Sequence, residues 1–341
     1  MQKHLLFIVH GMGTFPVKWE EPIVQTLMGC YDQFPNLKMV PFGDRFEVVP
    51  IEYNSIFHRE VKAWADNATI ISKLAGGLNA GTVETLTKWM DGAGDLTNKN
   101  FAWTHATDVL LYRLASTIRE AVCTYVGKQI TDKITASSVA GPVTWSVIAH
   151  SLGTAVTHDT LHRLANAGKA FDPINSKAKV LTAVCNVSRL LQTEVKALES
   201  KVQPGFPGQP ARVCEYFFTM RHQLDPFGIP QPFDPQNWPD AATISAGRYL
   251  RCMPKHIHQL NVHDINHYLV NPEVHVPLFR LLTTQAAISD DEFENAKNRF
   301  PPFGKLGDNA AIAFRKRLEN RAPKLADEWP KIGAIWRNLF T

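Results

Sequence analysis

Short runs of β-branched and aromatic residues recur along the chain at 5–9, 46–53, 144–149, 180–185, 213–220 and 257–262, nearly continuous rather than alternating. Such runs suit strands covered on both faces, as in a parallel sheet. Between them lie stretches with helical spacing, including 107–134 and 154–167, the crossovers that parallel strands require. The pattern predicts an α/β protein: a mostly parallel sheet of about six core strands, flanked by helices.

Residues 54–143 separate the second run from the third, more chain than one crossover uses. Helical patterns at 56–74 and 83–90, punctuated by Gly76-Gly77, Gly81 and Gly92-Ala93-Gly94, predict an inserted helical cap over 54–100. Its charge-poor part, 68–90, is read either as a lid or as a buried helical hairpin. Loops at 203–210 and 225–240 are rich in proline. The main domain is expected to span 1–288. A C-terminal extension, 289–341, begins at a capping-box pattern, Ser289 with Glu292, and carries a second helical stretch at 309–321.

Composition narrows the classes. Of 341 residues, 45% are hydrophobic and 20% charged, with a formal net charge of +4. That balance gives no reason to expect a nucleic-acid partner, though it leaves room for peripheral contact with an anionic membrane surface. Cys30, Cys123, Cys185, Cys214 and Cys252 lack paired spacing, so a reducing compartment and no disulfide framework are expected. The apolar run at 5–9 is too short for a signal-peptide core, and no run is long enough to span a bilayer, so a cytoplasmic location is expected.

Chemistry enters at Ala149-His150-Ser151-Leu152-Gly153, placed between a strand run and a helical run. A serine at a sharp strand-to-helix turn is lifted above the carboxyl edge of a sheet, and the crowded turn demands small residues two positions either side. Ala149 and Gly153 meet that demand. The pentapeptide resembles the nucleophile motif of the α/β-hydrolase superfamily, with alanine replacing its first glycine as in lipase-like members. The resemblance covers roughly residues 4–283. It extends to His10-Gly11-Met12-Gly13 after the first strand, which is similar to an oxyanion loop; by resemblance the amides of Met12 and Leu152 form the oxyanion hole.

The family places its acid in the loop after the strand two beyond the nucleophile strand. Asp225 fits that position, with Asp234 and Asp240 in reserve. The base is expected in the last loop before the final helix, whose start is marked by Asn271 and Pro272. His267 is the expected base there, with His263 as runner-up. The order Ser151, Asp225, His267 matches the serine–acid–histidine order of these enzymes. A rival reading gathers His256, His258, His263 and His267 at a metal, but no cysteine or carboxylate spacing supports it; no metal and no cofactor are expected.

The resemblance therefore implies a serine hydrolase, an esterase or lipase-like enzyme acting on a small-molecule or lipid ester. Phe15, Trp19, Phe227, Phe233 and Trp238 are candidates for an apolar substrate pocket, although large apolar residues more often pack a core. The alternatives are amidase, thioesterase or acyltransferase chemistry on the same triad, or a catalytically silent relative that binds partners.

Overall fold

The computed structural model describes residues 2–11, 15–57, 59, 112, 116–167, 177–191, 202–205, 212–222, 225, 233, 247–254 and 262–300. Six strands form one parallel sheet: β1 His4–Val9, β2 Phe46–Ile51, β3 Trp145–His150, β4 Ala178–Val184, β5 Cys214–Met220 and β6 Tyr249–Cys252. Their order is β2-β1-β3-β4-β5-β6. Every residue of β1 is buried, and β3 is buried up to its final His150. Both faces of the central sheet are thus covered, which accounts for apolar runs without alternation. At the margins, β2 is half-buried over 47–49 and exposed at Pro50, and β6 is half-buried except at the exposed Arg251. Pro50, which has no N–H for a ladder, lies in the edge strand β2.

Two groups of helices cover the sheet. α2 (Ser116–Ser138) and α3 (Leu152–Ala167) pack together, and α3 also contacts β1 and β3. α1 (Glu21–Tyr31), α4 (Ile265–Leu269) and α5 (Pro272–Leu282) form the second group, with α5 against β4 and β5. The Asn271 side chain accepts the Glu273 N–H and caps α5, with Pro272 in its first turn. Ser289 and Glu292 form the expected capping box at α6 (Asp290–Arg299). No helix among the described residues is long and apolar enough to cross a membrane.

Five strands fall within a few residues of the apolar runs; the sixth differs. Tyr249–Cys252 pairs with β5, from Phe217 opposite Tyr249 to Met220 opposite Cys252. Of the expected run 257–262, only Val262 is described, and it lies in a turn. A four-residue edge strand carrying Arg251 has no apolar signature to find, because short charged edges are how sheets avoid further pairing. Nearly all of the expected cap, 54–100, and the stretch 309–321 lie outside the described residues.

The topology places a switch point between β1 and β3. The chain leaves β1 for β2 on one side, then crosses to β3 on the other, so the connection reverses direction between β1 and β3. In open parallel sheets, ligands bind at the carboxyl ends of strands flanking such a reversal. His10-Gly11 follows β1, and Ser151 follows β3.

Candidate active site

Ser151 adopts φ +52°, a left-handed conformation that costs an L-residue roughly 1–2 kcal/mol. Several hydrogen bonds hold it there. Its N–H donates to the Val184 carbonyl at 3.0 Å, and its own carbonyl accepts from the Thr154 N–H at 2.8 Å and the Thr154 hydroxyl at 2.7 Å. The turn presses closely on the end of β1. A Cβ on Gly153 would fall 2.2 Å from the His10 carbonyl oxygen, and one on Gly11 would fall 3.0 Å from Ser151 Cβ. Gly153 is therefore required by backbone contact, as its place in the motif implied.

Ser151 Oγ lies 2.9 Å from His263 Nε2, and His263 Nδ1 lies 3.0 and 2.9 Å from the two oxygens of Asp225. A carboxylate can only accept, so Nδ1 carries the proton and Nε2 is the acceptor for the serine hydroxyl. The Tyr268 hydroxyl donates to Asp225 Oδ2 at 2.7 Å and accepts the His222 N–H at 2.9 Å. His150, beside the serine, donates from Nε2 to the His263 carbonyl at 2.7 Å and so ties the strand end to the histidine turn.

Ser151, Asp225, Tyr268 and Cys185 are fully buried, and His263 keeps a small exposed fraction. Burial pushes the Asp225 carboxyl upward, but the neighbouring His263 charge and hydrogen bonds from His263, Tyr268 and Cys185 outweigh it, leaving the group at about 2. Burial, then the Asp225 charge, holds the Cys185 thiol and the Tyr268 phenol well above their ordinary values. Both remain protonated donors.

His267 is not part of this chain. Asp264 accepts the Asn266 N–H and caps α4, so the helix starts before His267 and carries its ring toward His222 and Tyr268, with centroids at 5.3 and 6.0 Å. His263, in the turn ahead of that cap, is the histidine that meets Ser151. The cap was legible in the sequence as Asp264 before an apolar residue, and it moves the helix start ahead of His267. Tyr268, Cys185 and His150 had no comparable signal, since nothing in their spacing announces a contact with Asp225 or His263.

Other expected residues divide as follows. Leu152 opens α3, so its N–H belongs to the first turn, which has no partner within the helix. Phe15 and Trp19 cluster on His10, with centroids at 4.5 and 5.0 Å. Tyr53 stacks on the same ring at 4.1 Å, and its hydroxyl donates to the carbonyls of His10 and Gly11 at 2.7 and 2.9 Å. Burial holds His10 down at about 4, so it stays neutral there near pH 7. Phe233 is buried with its ring against Phe217 and Tyr249 of β5 and β6. Met12, Phe227, Trp238, Asp234, Asp240, His256 and His258 lie outside the described residues.

Cys185, Asp225 and His263 bring potential metal-ligand atoms within 4.8 Å of one another. The Asp225 oxygens accept from His263 Nδ1 and the Tyr268 hydroxyl, and burial holds the Cys185 thiol protonated. Compared with protein-family profiles, curated proteins and solved structures, the chain matches none.

Proposed function

We propose that this chain is a serine hydrolase of the α/β-hydrolase type that cleaves carboxylic esters through an acyl-enzyme on Ser151. The observation that carries the reading is the unbroken hydrogen-bonded chain from Ser151 Oγ through His263 to Asp225. Strand placement supports it: the serine follows β3, the acid follows β5 two strands further on, and the histidine follows β6 ahead of the capped helix α5. That is the arrangement the family resemblance implies, with His263 in the role first expected of His267.

In this mechanism the Ser151 hydroxyl attacks the acyl carbonyl while His263 Nε2 takes its proton. Asp225 holds the ring in the required tautomer and offsets the imidazolium charge. The amide at the start of α3, that of Leu152, faces the developing oxyanion together with the Met12 amide implied by the family resemblance. The alkoxide departs with the proton from His263. Water, deprotonated by the same nitrogen, then attacks the acyl-enzyme and releases the carboxylic acid and free serine. Phe15 and Trp19, half-buried around His10 next to the elbow, supply an apolar wall for an acyl chain.

The test is a fluorophosphonate probe applied to the purified chain and to Ser151→Ala, with the adduct located by peptide mass. Labelling at Ser151 that the variant lacks, with turnover of short-chain p-nitrophenyl esters, is the expected result. A folded chain that neither labels nor turns over esters sinks the proposal.

A further inference from the structure

We infer that Tyr268, assisted by Cys185, is the positioning residue of the acid: its hydroxyl fixes the rotation of the Asp225 carboxylate that faces His263. The inference deepens the hydrolase reading and rests on it.

The argument starts from a symmetry. His263 Nδ1 lies at 3.0 and 2.9 Å from the two carboxylate oxygens, so one proton is shared almost equally between them. A shared proton constrains the carboxylate's position but not its rotation about the Cβ–Cγ bond, because either oxygen serves. Tyr268 breaks that symmetry by donating to Oδ2 alone, at 2.7 Å. Its proton is committed to this bond, since the phenol oxygen is itself occupied in accepting the His222 N–H.

The same phenol locks the local backbone. The Asp225 N–H donates to the His222 carbonyl at 3.0 Å, which ties these two residues together. Tyr268 bridges the His222 N–H and the Asp225 carboxylate. Cys185, just past β4, brings its Sγ within 4.8 Å of the carboxylate, and its backbone is left-handed at φ +49°. A non-glycine residue held in that conformation carries strain, and such strain gathers where a side chain must be aimed. Elements from the end of β4, the end of β5 and α4 thus converge on one buried carboxylate.

The donors matter because a general base begins its cycle neutral. With His263 neutral, the Asp225 charge is offset by N–H, O–H and S–H dipoles and by no full positive charge among these groups. When the imidazolium forms, that charge must already be in place and oriented.

The test uses the full chain, with Tyr268→Phe, Cys185→Ser and Cys185→Ala beside wild type. Read-outs are the fluorophosphonate labelling rate at Ser151, kcat and KM on one short-chain ester, and the far-downfield proton resonance of His263 Nδ1–H. Tyr268→Phe is expected to lower kcat and the labelling rate by about ten- to a hundredfold, the scale of one hydrogen bond to a charged group. KM should stay within about twofold, and the resonance should move. Cys185→Ser, which keeps a donor, should outperform Cys185→Ala. A folded Tyr268→Phe chain with unchanged kcat and resonance overturns the assignment. Should that variant fail to fold, the cysteine pair decides, and equal rates for Ser and Ala overturn it. Wild type that does not label brings down the hydrolase reading instead, whatever the variants do.

Discussion

His263 and His267 are both buried and close in sequence, and their hydrogen bonds give them different work. His263 spans Ser151 and Asp225, whereas His267 packs edge-on to His222 and Tyr268 inside α4. On the proposed mechanism, His263→Ala removes the base and lowers kcat by about 10²–10⁴-fold, the usual worth of a general base. His267→Ala should cost stability and leave kcat within about tenfold, since a cavity at that depth destabilises without touching the reacting atoms. Ester turnover of the two variants side by side, corrected for folded fraction, checks this; the reverse ranking would restore His267 to the site. At this scale the sequence was a partial guide. Ser151 and Asp225 could be placed because a small-residue elbow and a strand count are both local signals. The choice between histidines turned on a single helix cap, Asp264, and the contacts of Tyr268 and Cys185 are made across long stretches of chain that no periodicity reports.

Among the elements, the strand-turn-helix at Ser151 carries strain at the proposed nucleophile. The serine holds φ +52° against its own Cβ, and Gly153 is pinned by the end of β1. Glycine adopts this conformation without the steric penalty. Ser151→Gly should therefore be more stable than Ser151→Ala by about 1 kcal/mol, although the proposed mechanism makes both inactive. Urea unfolding midpoints of the two variants test it, and equal midpoints would mean that the turn carries no strain. Gly153→Ala should instead unfold the elbow, because its new methyl would overlap the His10 carbonyl. The apolar runs announced five strands for one physical reason: buried parallel strands need apolar residues on both faces. β6 escaped the same reading because a half-buried edge strand does not, and its Tyr-Leu-Arg-Cys could have been loop.

Across the whole molecule, buried histidines set how the fold responds to acid. Burial, helped at His4 by the charge of Lys179, holds His4, His10 and His275 down from 6.5 to about 4. A histidine with a depressed folded pKa is neutral in both states above pH 6.5. Below that, the unfolded chain binds the proton and the folded chain does not, so stability is lost as pH falls from 6.5 towards 4. Near pH 5 the three together make unfolding take up close to three protons, a slope of roughly 3–4 kcal/mol per pH unit. Asp225 then adds a lower window: its carboxyl, at about 2 against an ordinary 3.8, contributes stability above 3.8 that is lost as pH falls through 2. The two windows act in the same direction and in succession. Unfolding free energies from urea titrations at pH 7, 6 and 5 should fall with increasing steepness. His275→Gln should flatten the curve by about a third, because a glutamine amide can still donate to the Leu269 carbonyl that His275 Nδ1 now reaches at 2.9 Å. A wild-type curve that stays level between pH 7 and 5 would show that these rings take up protons in the folded chain, and that the seal around β1 and α5 is looser than their burial indicates.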